Sequence, residues 1–346
     1  MKTNHYLDDD SLAKKFSISN RRYIGGKSLL VQEIKKSIPS YIEKKVFCDI
    51  FAGTGIVGSS MFEDFDSIVF NDFLYSNELI YKGFFGKGSF SNRKLVSFQD
   101  EMIAQTRSAL KENYFSRNFG GRYFSKKSAK SIGFIREAIA ENTFGLNKRE
   151  RDIALASLVY SCDRIANTVG HYEAYRKTNF VFKEFEYRLI DPRVSTNALI
   201  YREDSNLLAR KIESNVCYVD PPYNSRQYSR FYHLLETLVK WEKPKLEGVA
   251  LKPPTENVSS YSTTNATSSL SDLVSSIKSD LIIVSYNNTY DSKSSSSKNK
   301  IEFDALRDIM MSKGRTKVKQ ISYKHFSAGN TSFADHKEFL FVTEVR

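Results

Sequence analysis

Apolar positions along the chain fall into short runs at two spacings, separated by turn-forming residues. Leu29, Leu30, Ile34 and Ile38 recur at helical spacing and stop at Pro39, which predicts a helix that ends there. The run 46–50 is short, apolar and closed by glycines, so it predicts a strand, followed by a helix over 57–65 and a second strand at 67–71. Further strands are predicted at 199–201, 216–219, 281–285, 318–323 and 338–343, with helical periodicity at Leu234, Leu235, Leu238 and Val239. Such alternation predicts an α/β protein with a doubly wound sheet and helices on both faces. Its last two strands, joined without a clear helix, are expected to pair antiparallel. Residues 81–192 interrupt the pattern with helix-like segments, notably 149–168, and are expected to form an inserted, mainly helical domain. Two Ser-rich tracts, 258–271 and 291–300, are expected to be mobile loops.

Composition adds scale. A chain of 346 residues that is 40% hydrophobic and 13% aromatic can bury a sizeable core. No apolar run approaches the roughly 20 residues of a membrane helix, and the polar opening MKTNHYLDDD carries no signal-peptide core, so the cytoplasm is the expected compartment. Cys48, Cys162 and Cys217 lie far apart without a C-x-x-C pair and the five histidines are scattered, so neither disulfides nor a zinc site is expected, only buried reduced thiols. Net charge is +12, of which residues 81–190, with 20 Lys and Arg against 11 Asp and Glu, supply +9. A polyanionic partner is implied, facing that segment.

Gly53, Gly55 and Gly58 spell G-x-G-x-x-G directly after the first predicted strand, and Asp72 ends the second strand 19 residues beyond Gly53. Glycines allow a tight turn and close approach to a ligand at the sheet edge, while an acid on the next strand accepts from ribose hydroxyls. A ribose-containing cofactor is expected; NAD fits these features as well as any other. Upstream, Tyr23-Ile24-Gly25-Gly26-Lys27-Ser28 evokes a phosphate-binding P-loop, but Arg21 stands where that motif needs glycine, which excludes an NTPase.

The motif that decides the chemistry is Asp220-Pro221-Pro222-Tyr223, which follows the apolar strand 216–219. Adenine N6 is a poor nucleophile because its lone pair is delocalised into the ring. Asp220 and the Pro221 carbonyl could each accept one N6 proton, favouring a pyramidal nitrogen with its lone pair on a methyl donor. Pro221 and Pro222 fix φ and remove competing N–H donors, and Tyr223 offers a flat face to an extruded base.

These motifs, in this order, resemble the Dam-like N6-adenine DNA methyltransferases of restriction-modification systems, over most of the chain. The resemblance implies a Rossmann-like sheet that binds S-adenosyl-L-methionine, a catalytic domain of residues 1–80 and 196–346, and an inserted target-recognition domain of 81–195. Carried over by position, it implies cofactor contacts at Tyr23, Gly25, Gly26, Lys27, Asp49, Phe51, Gly53 and Gly55, the ribose at Asp72, and the cofactor adenine near Asp204. Asp220 would face both the methyl donor and an adenine flipped from double-stranded DNA. Tyr23 stands where many members have tryptophan. The segments 123–125, 166–172, 224–228 and 284–288 are similar to the narrower subgroup that partners type IIS restriction enzymes.

Within the insert, Tyr114, Phe115, Phe119, Tyr123 and Phe124 interleave with Arg117, Arg122, Lys126, Lys127 and Lys130. Phosphate binding and base stacking both use such residues, so Arg117, Arg122, Lys126 and Lys127 are the expected DNA contacts. His171 and His233 sit beside aromatics or leucines and are expected to be packed histidines rather than catalytic bases. Two rivals share parts of this pattern: an RNA base-amino methyltransferase, and a catalytically idle DNA-binding module of the same fold.

Overall fold

The computed structural model describes residues 15–177, 180–194, 197–287, 300–322 and 337–346, and at its centre the apolar runs align as one sheet. Its strands are β1 (Val46–Asp49), β2 (Ser67–Asn71), β3 (Ala198–Tyr201), β4 (Glu213–Val219), β5 (Lys278–Asn287), β6 (Gly314–Ser322) and β7 (Lys337–Val345). They lie in the order β3-β2-β1-β4-β5-β7-β6. All neighbours are parallel except that β7 runs antiparallel to both β5 and β6, the pairing expected for the last two strands. The predicted end of β6 at Tyr323, the connection after it, and all of the tract 291–300 except Lys300 lie outside the described residues.

The helices are α1 (Val31–Lys36), α2 (Ile56–Ser60), α3 (Tyr75–Phe85), α4 (Asn92–Thr106), α5 (Tyr114–Phe119), α6 (Lys126–Glu141), α7 (Lys148–Ile165), α8 (Ser205–Ala209), α9 (Tyr228–Phe231), α10 (His233–Lys240), α11 (Ala266–Ser276) and α12 (Phe303–Lys313). Because strand side chains alternate in direction, successive residues of β1 enter different cores. Phe47 joins Ile34, Ile80, Phe84, Val159 and Leu234 on one face. Cys48 joins Leu208, Leu273, Leu306 and Met310 on the other. Helices thus cover both faces, and the strands read as continuous apolar runs because neither face is wet.

The helices of the insert belong to the first of these cores: Phe98, Phe115, Ile135 and Leu158 are continuous with Phe47 and Phe70 of the sheet. Sequence-local chemistry starts them. Ser125 accepts the Ser128 amide at the head of α6, and Asn147 with Glu150 forms a capping box at the head of α7. Arg149 then donates to the Gly83 carbonyl at 2.8 Å, tying α7 to the end of α3.

The aromatics that interleave with the cations of 114–130 point inward, except that Tyr114 is only partly buried. Phe115, Phe119, Tyr123 and Phe124 are at most 1% exposed, so they are core residues and offer no face to a base. The spacing of Phe115 and Phe119 places both on the inward side of α5, with the cations outside. The Ser-rich tract 258–271, expected to be a mobile loop, corrects that expectation. It holds a short 3₁₀ turn at Ser260–Ser262 and the start of α11. The apolar residues of its helical part, Ala266 and Leu270, continue to Leu273 and Val274 at helical spacing, and all four are buried. Serine is no obstacle to a helix anchored in that way.

The three cysteines are free and buried, as expected. Among the described residues no helix is long and apolar enough to cross a membrane.

Candidate active site

Strand order sets the site. From β1 the chain proceeds outward through β2 and β3, then returns to place β4 on the other side of β1, so the connections diverge between β1 and β4. Above such a switch point the carboxyl ends of the strands leave a crevice. Four carboxylates lie there in a row, each at or just beyond one strand: Asp204 after β3, Asp72 after β2, Asp49 ending β1, and Asp220 after β4. All four line one cavity of about 1250 Å³, counting its open mouth.

The glycine turn forms the floor. Gly53 and Gly55 have φ of +53° and +75°, conformations that favour glycine, and Gly55 caps α2. The Gly53 amide donates to Asp72 Oδ2 at 2.9 Å, and the Leu74 amide donates to Asp72 Oδ1 at 2.9 Å. Asp72 is thereby fixed beside the turn, as the 19-residue spacing anticipates. Gly55 differs from its expected place: it is not among the cavity-lining residues, and a Cβ there would stand 2.9 Å from the Tyr81 ring. Gly58 meets Phe70, where a Cβ would approach to 2.5 Å, so it serves helix–strand packing.

Asp49 is 1% exposed and accepts the Gly58 amide at 2.9 Å through Oδ2. Its Oδ1 has no hydrogen-bond partner among the described residues. Burial, with the charges of Asp220 and Asp72 adding to it, raises its pKa to about 8 against the Gly58 bond. Asp204 accepts the Asn206 and Leu207 amides at 3.0 and 3.1 Å, capping α8 at the cavity wall.

Among the described residues, Asp220 is held by side chains alone. Its Oδ1 accepts from Ser285 Oγ at 2.8 Å and from the Tyr223 hydroxyl at 2.9 Å, and lies 3.3 Å from Lys27 Nζ. Ser285 itself accepts from the Tyr218 hydroxyl at 2.8 Å, which turns its own proton toward Asp220. Lys27, expected as a cofactor contact, is buried between Asp220 and Glu338, 3.8 Å away on β7. Tyr223 is 7% exposed and set edge-to-face on Tyr286 at 5.1 Å, and its hydroxyl also touches the Ser285 carbonyl, so that its single proton is shared between that oxygen and Asp220. Pro221 and Pro222 line the cavity beside it.

Tyr23, Gly25, Gly26 and Phe51 complete the expected lining. Tyr23 is stacked on Tyr232 at 4.6 Å with planes 4° apart, and the Arg21 guanidinium lies 5.1 Å from its ring centroid. Phe51 meets the edge of Tyr261 at 5.1 Å, making an aromatic corner. Gln227 and Ser259 hold this wall by a reciprocal pair of hydrogen bonds, 2.8 and 3.1 Å long.

Several of these residues carried no role in the sequence reading. Ser285 lies in a segment singled out there, whereas Tyr261 sits in a tract read as loop. Glu338 is marked only by being a charge at the head of an apolar strand. Glu236, buried on α10, accepts the Tyr75 and Ser76 amides at 3.0 and 2.8 Å and so caps α3 just beyond Asp72. Burial raises its pKa.

The expected DNA contacts Arg117, Arg122, Lys126 and Lys127 are all exposed and stand outside this cavity. His171 and His233 are packed. Both ring nitrogens of His233 face carbonyls, of Arg230 and Ala250, at 2.9 and 2.8 Å, and His171 is stacked on Phe231 at 4.5 Å.

Comparison with known proteins gives a consistent picture. Residues 23–312 match the family model described as D12 class N6 adenine-specific DNA methyltransferase. The modification methylase StsI of Streptococcus sanguinis is 31% identical over 90% of this chain and 50% of its own length. The type II methyltransferase M.NlaIII of Neisseria lactamica is 26% identical over 93% of this chain and 98% of its own. The type II methyltransferase M.FokI of Planomicrobium okeanokoites is 30% identical over 69% of this chain and 40% of its own. The chain therefore spans about half the length of StsI and nearly all of M.NlaIII.

Proposed function

The chain belongs to the D12 class of N6 adenine-specific DNA methyltransferases, and from that premise we propose that it transfers a methyl group from S-adenosylmethionine to N6 of an adenine flipped out of double-stranded DNA. The observation that carries this reading is the setting of Asp220. Its carboxylate is held through Oδ1 by Ser285, Tyr223 and Lys27 at the mouth of the crevice that the glycine turn and Asp72 line.

The cavity suits such a cofactor on its own evidence. A row of carboxylates faces it, one oxygen of Asp49 is buried without a hydrogen-bond partner, and the Phe51–Tyr261 corner offers an apolar wall. Asp72 would hold the ribose, Asp204 would lie by the adenine, and Tyr23, Gly25, Gly26, Phe51 and Gly53 would enclose the remainder. When bound, S-adenosylmethionine supplies an activated methyl on a sulfonium, so the protein needs no nucleophile of its own.

What this chain contributes is orientation. With Oδ1 engaged by its partners, Asp220 Oδ2 accepts a hydrogen bond from one N6–H and the Pro221 carbonyl from the other, aiming the nitrogen lone pair at the methyl; once the N–C bond has formed, the one surplus N6 proton is released to solvent. Tyr223 stacks on the base and anchors Asp220 through its hydroxyl. Lys27 keeps the carboxylate in place from the opposite side. Alignment of this kind is the main source of rate in a direct transfer.

The biological role that follows is protection of host DNA from a restriction endonuclease of the same specificity. A labelled-methyl transfer assay comparing duplex DNA with RNA of the same sequence tests the substrate: label in N6-methyladenine of the duplex is expected. Label in RNA alone, or in neither polymer, contradicts it.

A further inference from the structure

The segment that carries Tyr23 separates two concavities. Tyr23 and Ile24 line the active-site cavity, while Arg22 is exposed on the other side and lines a second cleft. The rest of that cleft comes from the end of α7 and the chain after it: Arg164, Thr168, Val169, Gly170, Arg176 and Lys183 among others. Four cations line it and no acid does. An ion-pair partner within reach of one of them, Glu186, stands 3.9 Å from Arg164 with both side chains half exposed, a weak pairing.

The cleft is rigidly joined to the active site. Buried Asp163 accepts the Arg22 amide at 2.8 Å and the Tyr172 hydroxyl at 2.9 Å, and Arg22 Nη2 donates to the Arg164 carbonyl at 3.1 Å. Gly170, at φ +102°, lies against Ile24, and the Tyr172 amide donates to the Phe231 carbonyl at 2.7 Å. Asn167 bonds the carbonyls of Arg122 and Arg176, linking the insert's basic surface to this wall. The segment 166–172, set apart in the sequence yet without a part in methyl transfer, thus lines the cleft and backs the Tyr23 segment that divides it from the catalytic cavity.

We propose that this cleft grips the sugar–phosphate backbone of the DNA next to the target nucleotide, with Arg22, Arg164, Arg176 and Lys183 on phosphates. A flipped adenine drawn into the cavity leaves its flanking phosphates on the rim, and the cleft is the cationic concavity that shares a wall with that cavity. The inference rests on the DNA-methylating reading above.

Affinity for a labelled random-sequence duplex, measured against salt, tests it, because binding without a specific site is almost wholly electrostatic. In the triple variant Arg164→Ala, Arg176→Ala, Lys183→Ala, the slope of log K against log salt should fall by about 0.9 per phosphate contact, so by about 2.7. Calorimetric S-adenosylmethionine affinity should be unchanged, and Arg164→Lys with Arg176→Lys should keep the slope. Unchanged affinity and slope in a variant that binds cofactor normally overturns the cleft while leaving the methyltransferase reading intact. A wild-type protein that neither binds nor methylates duplex overturns both. Should the variant fail to fold, acetylation footprinting of the wild type decides: Lys183 protected by duplex is expected, and Lys183 equally reactive with and without duplex refutes the proposal.

Discussion

At Tyr223 two roles are superposed on one side chain. The ring faces the cavity while the hydroxyl shares its one proton between Asp220 and the Ser285 carbonyl. Tyr223→Phe keeps the ring and deletes a bond to a charged group, so kcat should fall about tenfold, and Tyr223→Ala, which loses both, should fall much further. Equal loss in the two variants would show that the ring is irrelevant. Asp49 carries a pH prediction. Its pKa of about 8 means that the ligand-free protein holds a neutral carboxyl there below pH 8. A cationic cofactor favours the ionised form, so binding expels a proton. Affinity should then weaken as pH drops below about 8, approaching tenfold per unit, and level off above it. Calorimetry in two buffers of different ionisation enthalpy at pH 7 should register proton release, absent in Asp49→Asn. Pairing independent of buffer and pH would place Asp49 outside cofactor binding.

Among the elements, the strands were the most legible, because a strand buried on both faces announces itself as an apolar run bounded by turns. All seven predicted strands are present, and β1 with its glycine turn and β4 with Asp220 to Tyr223 could be read locally. Helix α11 was not legible for the converse reason. Its composition is that of a loop, and only four apolar positions anchor it. Leu273, fully buried in the core of that face, should therefore matter: Leu273→Ala should destabilise the protein by about 2–5 kcal/mol in denaturant unfolding. A loss within experimental error would return the tract to a loop. The contacts on Asp220 escaped the sequence for a different reason. Ser285 and Lys27 reach Asp220 from β5 and the amino-terminal motif, and Glu338 reaches Lys27 from β7, so their meeting depends on strand order rather than on any local pattern.

For the whole molecule, the sign and location of charge were readable while the surfaces they form were not. The insert's positive balance is real, yet Phe115, Phe119, Tyr123 and Phe124 are core, and its exposed cations Arg117, Arg122, Lys126 and Lys127 lie outside the cavity. If Lys126 and Lys127 touch phosphates, replacing both by alanine should weaken binding across sequences and lower the salt slope by about 1.8. An unchanged slope would place them off the DNA. The central claim, however, is chemical: a doubly wound sheet brings Asp220 to the lip of a cofactor crevice to accept a hydrogen bond from adenine N6. Mass spectrometry of duplex DNA methylated by the wild type and by Asp220→Ala, with circular dichroism showing both folded, tests it most directly. N6-methyladenine from the wild type and almost none from the variant is the predicted result; 5-methylcytosine as the product, or N6-methyladenine formed by the variant at the normal rate, would contradict it.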